Sequence, residues 1–156
     1  MADLSVLARA AALGAAAGMR SMAAPAALSR HMAGAGKSSG ELERLFAHPS
    51  APTALRLASV AELVADKLPI IPNRTDAGPL GARMAAGALC GAVVARRGRE
   101  SAIAGALVGA LAAAAATFAA YHVRRALTSD AGLPDLAVAV GEDMAALAVA
   151  EAALRG

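Results

Sequence analysis

From Ser101 to Tyr121 the chain carries no charged side chain, and Gly105 and Gly109 stand one helical turn apart inside that run. About twenty consecutive apolar residues are enough to cross a bilayer as a single helix. A helix that is apolar all round has no face to offer to water, so it must be buried in protein or in lipid. This stretch therefore points to an all-α chain, and composition extends the point to the whole molecule. Hydrophobic residues make up 58% and charged residues only 17%, a balance greasier than that of ordinary soluble domains. Much of the apolar content is alanine, a weaker insertion signal than leucine. Phe46, Phe118 and Tyr121 are the only aromatic residues, so the aromatic belts of many membrane proteins are missing. A soluble, Ala-rich helical bundle is the competing reading.

Five apolar segments are expected, some of them broken or re-entrant, in one membrane domain spanning residues 1–156. The first runs from Leu4 to Leu28. Arg9 lies near enough to its start to snorkel, whereas Arg20 sits well inside. Pro25 removes a backbone donor and should kink or interrupt the helix near Arg20 and Ser21. No cleavable leader is expected, because Asp3 stands where a basic n-region would be. Residues 29–52 form a polar loop in which ELERLFAH reads as a short surface helix, with Leu42, Leu45 and Phe46 on one side. GAGKSS within it is not a phosphate loop: His31 occupies the position of the first glycine, and no strand precedes it. His31 and His48 lack metal-ligand spacing.

The second segment, Thr53–Ile71, carries the most informative motif. Glu62 and Asp66 are spaced i, i+4 and share a helix face with Ser59; Lys67, a Pro69/Pro72 break and Arg74 follow. A carboxylate at membrane depth costs a few kcal/mol unless it is paired or protonated. Glu62 and Asp66 are therefore expected to face the interior against a basic residue, Arg20 or Lys67. The third segment, Pro79–Ala95, begins with Arg83, and the fifth, Leu133–Leu154, has Glu142 and Asp143 near its centre. Adjacent helix positions diverge by about 100°, so only one of that pair need face a given partner. Arg20, Lys67 and Arg83 are the candidate partners. Gly14/Gly18, Gly87/Gly91 and Gly105/Gly109 form three GxxxG motifs, which let helices approach closely. Arg96, Arg97 and Arg99 make a tight turn between the third and fourth segments, so those two should be antiparallel neighbours. GMRSMAAPAAL at 18–28 and GARMAAGAL at 81–89 make a faint internal repeat.

The formal charge of +3 and pI near 9.8 do not signal nucleic acid. The basic residues cluster at segment ends without interleaved aromatics, a pattern that positive-inside topology explains. Counting five spans puts Arg30, Lys37, Arg44, Arg96, Arg97, Arg99 and Arg155 on the cytoplasmic side, and the N-terminus outside. The single Cys90 excludes an intrachain disulfide and a Cys-based zinc cluster.

GMRSMAAPAALS, ELVADKLPIIPNRT, GARMAAGALCGAVV and LPDLAVAVGEDMAA together resemble the bacterial membrane family catalogued as domain of unknown function 4126. The resemblance covers nearly the whole chain, and ELVADKLP is its most specific part. It implies a small multi-pass protein of the bacterial inner membrane and carries no catalytic assignment. The residues themselves suggest a transporter or channel module for a proton, cation or small solute. Its intramembrane polar site would comprise Arg20, Ser21, Ser59, Glu62, Asp66, Lys67, Arg74, Arg83, Glu142 and Asp143. A homo-oligomer is expected, since so few spans enclose a pathway poorly, and no cofactor is. The alternatives are a membrane scaffold with structural ion pairs and a Mg-dependent enzyme acting on lipid-linked phosphate. In the latter Glu62 and Asp66 would hold the metal, and Arg74 or Arg83 the phosphate.

Overall fold

The computed structural model describes residues 3–33, 40–65 and 75–155. Among them the chain is helical, with no strand. The helices are α1 (Leu4–Met19), α2 (Ala23–Ala33), α3 (Glu41–Ala47), α4 (Ala51–Ala65), α5 (Ala77–Arg97), α6 (Ala102–Arg125) and α7 (Asp135–Arg155). A π-helical turn, Ala126–Asp130, extends α6. Two helices, α5 and the extended α6, are long and apolar enough to cross a membrane. Prolines mark the starts: Pro25, Pro52 and Pro79 fall in the first turns of α2, α4 and α5, and Pro134 directly precedes α7. The first amides of a helix have no intrahelical partner, so proline removes nothing there.

Glycine sets the core. A Cβ on Gly14 would lie 2.2 Å from the Gly109 carbonyl oxygen, and one on Gly18 the same distance from that of Ala113. These contacts run in the same order along both chains, so α1 is parallel to α6. A Cβ on Gly87 would stand 2.6 Å from the Gly109 oxygen, and one on Gly91 2.2 Å from the Gly105 oxygen. That order is reversed, so α5 and α6 are antiparallel, as the short turn between them requires. All three GxxxG motifs thus meet in one three-helix contact where bare backbones touch.

The first apolar stretch is interrupted near Arg20 and Ser21, and of the two expected outcomes, kink or break, it is a break: the stretch is a helical hairpin. Val6 of α1 packs on Gly98, and the Asp3 amide donates to Glu100 Oε1 at 2.7 Å. Leu28 and His31 of α2 border a cavity with Val94, Arg97 and Gly98. Both open ends of the hairpin therefore lie beside the α5–α6 turn, at the base of the bundle. The reversal occurs at Arg20–Met22, because the Pro25 ring would collide with the residue 21 carbonyl in a continuous helix.

The hairpin tip stops level with Thr117. At 1.5 Å per residue, that is roughly 22 Å above the start of α6 and about 12 Å below Arg125. From the base, α4 rises along α2 and brings Glu62 to the tip. α7 descends from the far end, passing Arg20 at Asp143 and Arg30 at Glu151. Near its end, Arg9 Nε donates to the Ala153 carbonyl at 2.8 Å and caps the helix. The predicted surface helix is α3. Phe46 is buried and Leu42 half-buried, but Leu45 is 65% exposed, so the expected apolar side is narrower than read.

Candidate ion-pair site at the hairpin tip

Reversing a helix inside an apolar bundle leaves the carbonyls of one end and the amides of the next without partners. The tip satisfies them with side chains brought from distant segments. On the α1 side, Arg20 is extended (φ −140°, ψ 118°) and ends the helix. Arg83, only 3% exposed, donates through Nη1 to the Gly18 and Met19 carbonyls at 2.6 and 2.7 Å. The Thr117 hydroxyl lies 3.0 Å from the same Gly18 oxygen and 2.8 Å from that of Ala113. On the α2 side, the Glu62 carboxylate accepts from the amides of Ser21 at 3.1 Å and Met22 at 3.3 Å. A cation at a helix C-terminus and an anion at an N-terminus both complement the helix dipole. Arg83 Nη2 also stands 3.6 Å from Glu62 Oε1, which links the two caps.

A second ionic layer surrounds the first. Arg20 Nε donates to the Asp143 carboxylate. Arg124 grips Asp135 through two bonds of 2.9 and 2.7 Å, and its Nη1 lies 3.6 Å from Glu142 Oε2. Glu142 and Asp143 thus diverge to separate partners, as their adjacency on a helix requires. Between the two layers a cavity of about 100 Å³ is bordered by Arg20, Ala23, Ser59, Glu62, Asp143 and Leu147.

Of the residues singled out in the sequence, Arg20, Ser21, Ser59, Glu62, Arg83 and Asp143 converge here. Glu142 lies one step away, at the Arg124 pair. Asp66, Lys67 and Arg74 fall outside the described residues. Among the described residues the basic side chain beside Glu62 is Arg83, one of the three candidate partners, while Arg20 meets Asp143 on α7. Ser21 contributes its backbone amide. Thr117 and Arg124 escaped notice. The first is a lone hydroxyl deep in an otherwise apolar run, which was the available signal. The second sits in an Arg124–Arg125 pair that reads as a membrane-edge charge.

The model of the DUF4126 family, a domain of unknown function, matches residues 7–155. The chain belongs to this family. No curated protein and no solved structure matches it. The DUF4126 match takes in the hairpin from Leu7 onward, both caps at its tip and the outer ion pairs. Among the described residues of this DUF4126 chain no three His, Cys, Asp or Glu side chains gather as metal ligands.

Proposed function

We propose that this DUF4126 chain is a multi-pass protein of the cytoplasmic membrane whose hairpin tip is the ion-handling element of a small transporter or channel. The placement in lipid is supported by what the bundle turns outward. Ile103, Leu107 and Leu111 form an exposed stripe along α6, and Leu136, Val140, Met144 and Leu147 do the same on α7. Apolar surface of that extent is unfavourable in water and favourable against acyl chains. Arg30, Arg96, Arg97, Arg99 and Arg155 collect at the base, against Arg124 and Arg125 at the far end. Positive-inside bias then puts the base in the cytoplasm. The hairpin carries the start of α1 to that same side, the reverse of the five-span count.

The single observation behind the ion-handling role is the cavity at the tip. Its volume of about 100 Å³ holds roughly three waters at about 30 Å³ each. Arg20, Ser59, Glu62 and Asp143 border it at a depth where polar groups are costly. That size holds water or a small ion. Glu62 and Asp143 are its proton-accepting groups. The proposal includes a homo-oligomer, since the two full-length apolar helices among the described residues enclose a pathway only in more than one copy. Reconstitution into vesicles loaded with a pH-sensitive dye tests the role. Flux is expected from the native chain and is lost in Glu62→Gln and Asp143→Asn.

A scaffold reading has one observation in its favour: each described carboxylate of the tip already has a partner. It predicts vesicles no leakier than empty ones, together with lower stability for Glu62→Gln. The Mg-dependent enzyme gains no support, because the Glu62 oxygens are turned to two amides and a guanidinium.

A further inference from the structure

Away from the tip, at the base, the ends of four helices leave a second cavity of about 250 Å³. Its lining differs in kind. Arg9 of α1, His31 of α2 and Arg97 at the end of α5 contribute basic groups, Gly98 contributes bare backbone, and no carboxylate of the described residues borders it. Leu28, Val94 and Leu154 form its apolar floor. Arg9 spends Nε on the Ala153 carbonyl, which holds its guanidinium in place. His31 and Arg97 are exposed and make no hydrogen bond or ion pair among the described residues. Elsewhere in the bundle the buried or half-buried arginines Arg20, Arg30, Arg83 and Arg124 each meet a carboxylate. The basal cavity gathers cations from three helices, with no counter-charge among the described residues that line it.

We propose that this cavity binds the phosphate of an anionic phospholipid head group, with Arg9 and Arg97 as the charged contacts and His31 as a further donor. A planar guanidinium matches phosphate geometry with two parallel donors. The apolar floor beneath the charged rim suits a ligand whose phosphate continues into glycerol and acyl chain. Basic pockets between helices on the cytoplasmic side are suited to anionic head groups. The assignment rests on the membrane placement argued above and is independent of ion flux.

The test uses the purified full chain in neutral detergent, titrated separately with phosphatidylglycerol, phosphatidylcholine and inorganic phosphate, with melting temperature as the readout. Phosphatidylglycerol should raise the melting temperature saturably, while the other two leave it unchanged. Arg97→Gln should weaken the apparent affinity about fivefold, the effect of one basic residue near an anionic surface, and His31→Gln should weaken it as well. Arg99→Gln removes an equally exposed charge from the same turn but not from the cavity, so it should leave binding intact. Equal losses for Arg97→Gln and Arg99→Gln would overturn the pocket in favour of diffuse surface charge. Equal stabilisation by inorganic phosphate would overturn the lipid assignment. Should Arg97→Gln lower the unliganded melting temperature, His31→Gln carries the comparison. A failure of the membrane placement would show separately, as a chain monodisperse without detergent.

Discussion

Where Gly87 and Gly91 face Gly105 and Gly109, α5 and α6 touch through bare backbone, with no polar side chain involved. Further from the base the same two helices meet α1 through Arg83 and Thr117, whose side chains donate hydrogen bonds to the Gly18 carbonyl. The first region depends on volume and is indifferent to charge. The second depends on charge and hydrogen bonding and has room around it, as the cavity beside Glu62 shows. Small residues bring helices close enough for dispersion to act, and the same closeness excludes water. Any helix end inside that dry bundle must then find protein partners. The glycine contact is thus the condition that makes the tip's caps necessary.

Substitutions sharpen the contrast, and the largest effect belongs to the glycine region. Gly109→Leu would drive a side chain into a site where even a Cβ comes 2.2 Å from the Gly87 oxygen. A backbone cannot step aside, so a loss of at least about 3 kcal/mol, the upper range for overpacked cores, should appear in denaturant titration in micelles. Arg83→Met comes next. It keeps volume but removes the donor to the Met19 carbonyl and the cation beside Glu62. Because Glu62 keeps two amides and the Gly18 carbonyl keeps Thr117, the cost should be no more than about 3 kcal/mol, the low end for breaking a buried pair from one side. Adding Glu62→Gln should recover part of that loss, whereas no charge change should rescue Gly109→Leu.

Thr117→Val is smaller again. The shape is kept and one hydrogen bond is lost, for about 1 kcal/mol by the same titration. The slightest effect lies outside both regions, at the base. Asp3 caps α1 by accepting from the Ser5 side chain and amide, and these bonds hold its carboxyl below the ordinary 3.8. A depressed folded-state value contributes stability that is complete above 3.8 and disappears as pH falls through the folded value. In acid titration the native chain should exceed Asp3→Asn in stability above that window, and the difference should vanish as pH falls through it.

Much of the glycine region was legible in the sequence. Its motifs are local, and i, i+4 spacing places both members on one helix face whatever the fold. Which motif meets which was not legible: Gly109 faces both Gly14 and Gly87, and only the three-helix arrangement selects those partners. The helix break was also local, since Pro25 announces it four residues downstream. Its consequence was not. A proline break is compatible with a kink or with a reversal, and the choice depends on groups far along the chain, Glu62 for the amides and Arg83 for the carbonyls. The sequence supplied the charges but left Glu62 with Arg20, Lys67 and Arg83 as candidate partners, because it contains no distance between segments. The reversal also moved the start of α1 to the opposite side from the one a count of spans implies.

That reversal is the central claim, and side-specific labelling tests it most directly. Single cysteines at Ser5, Ser101 and Ser129, in a chain with Cys90→Ala, would be exposed to a membrane-impermeant maleimide in sealed vesicles of known orientation. All three positions are exposed at the ends of the bundle, Ser5 and Ser101 at the base and Ser129 beyond α6. The hairpin predicts that Ser5 and Ser101 react from the same side and Ser129 from the other. Labelling of Ser5 together with Ser129, and opposite to Ser101, would mean that the first apolar stretch crosses the membrane without turning back, and would contradict the account.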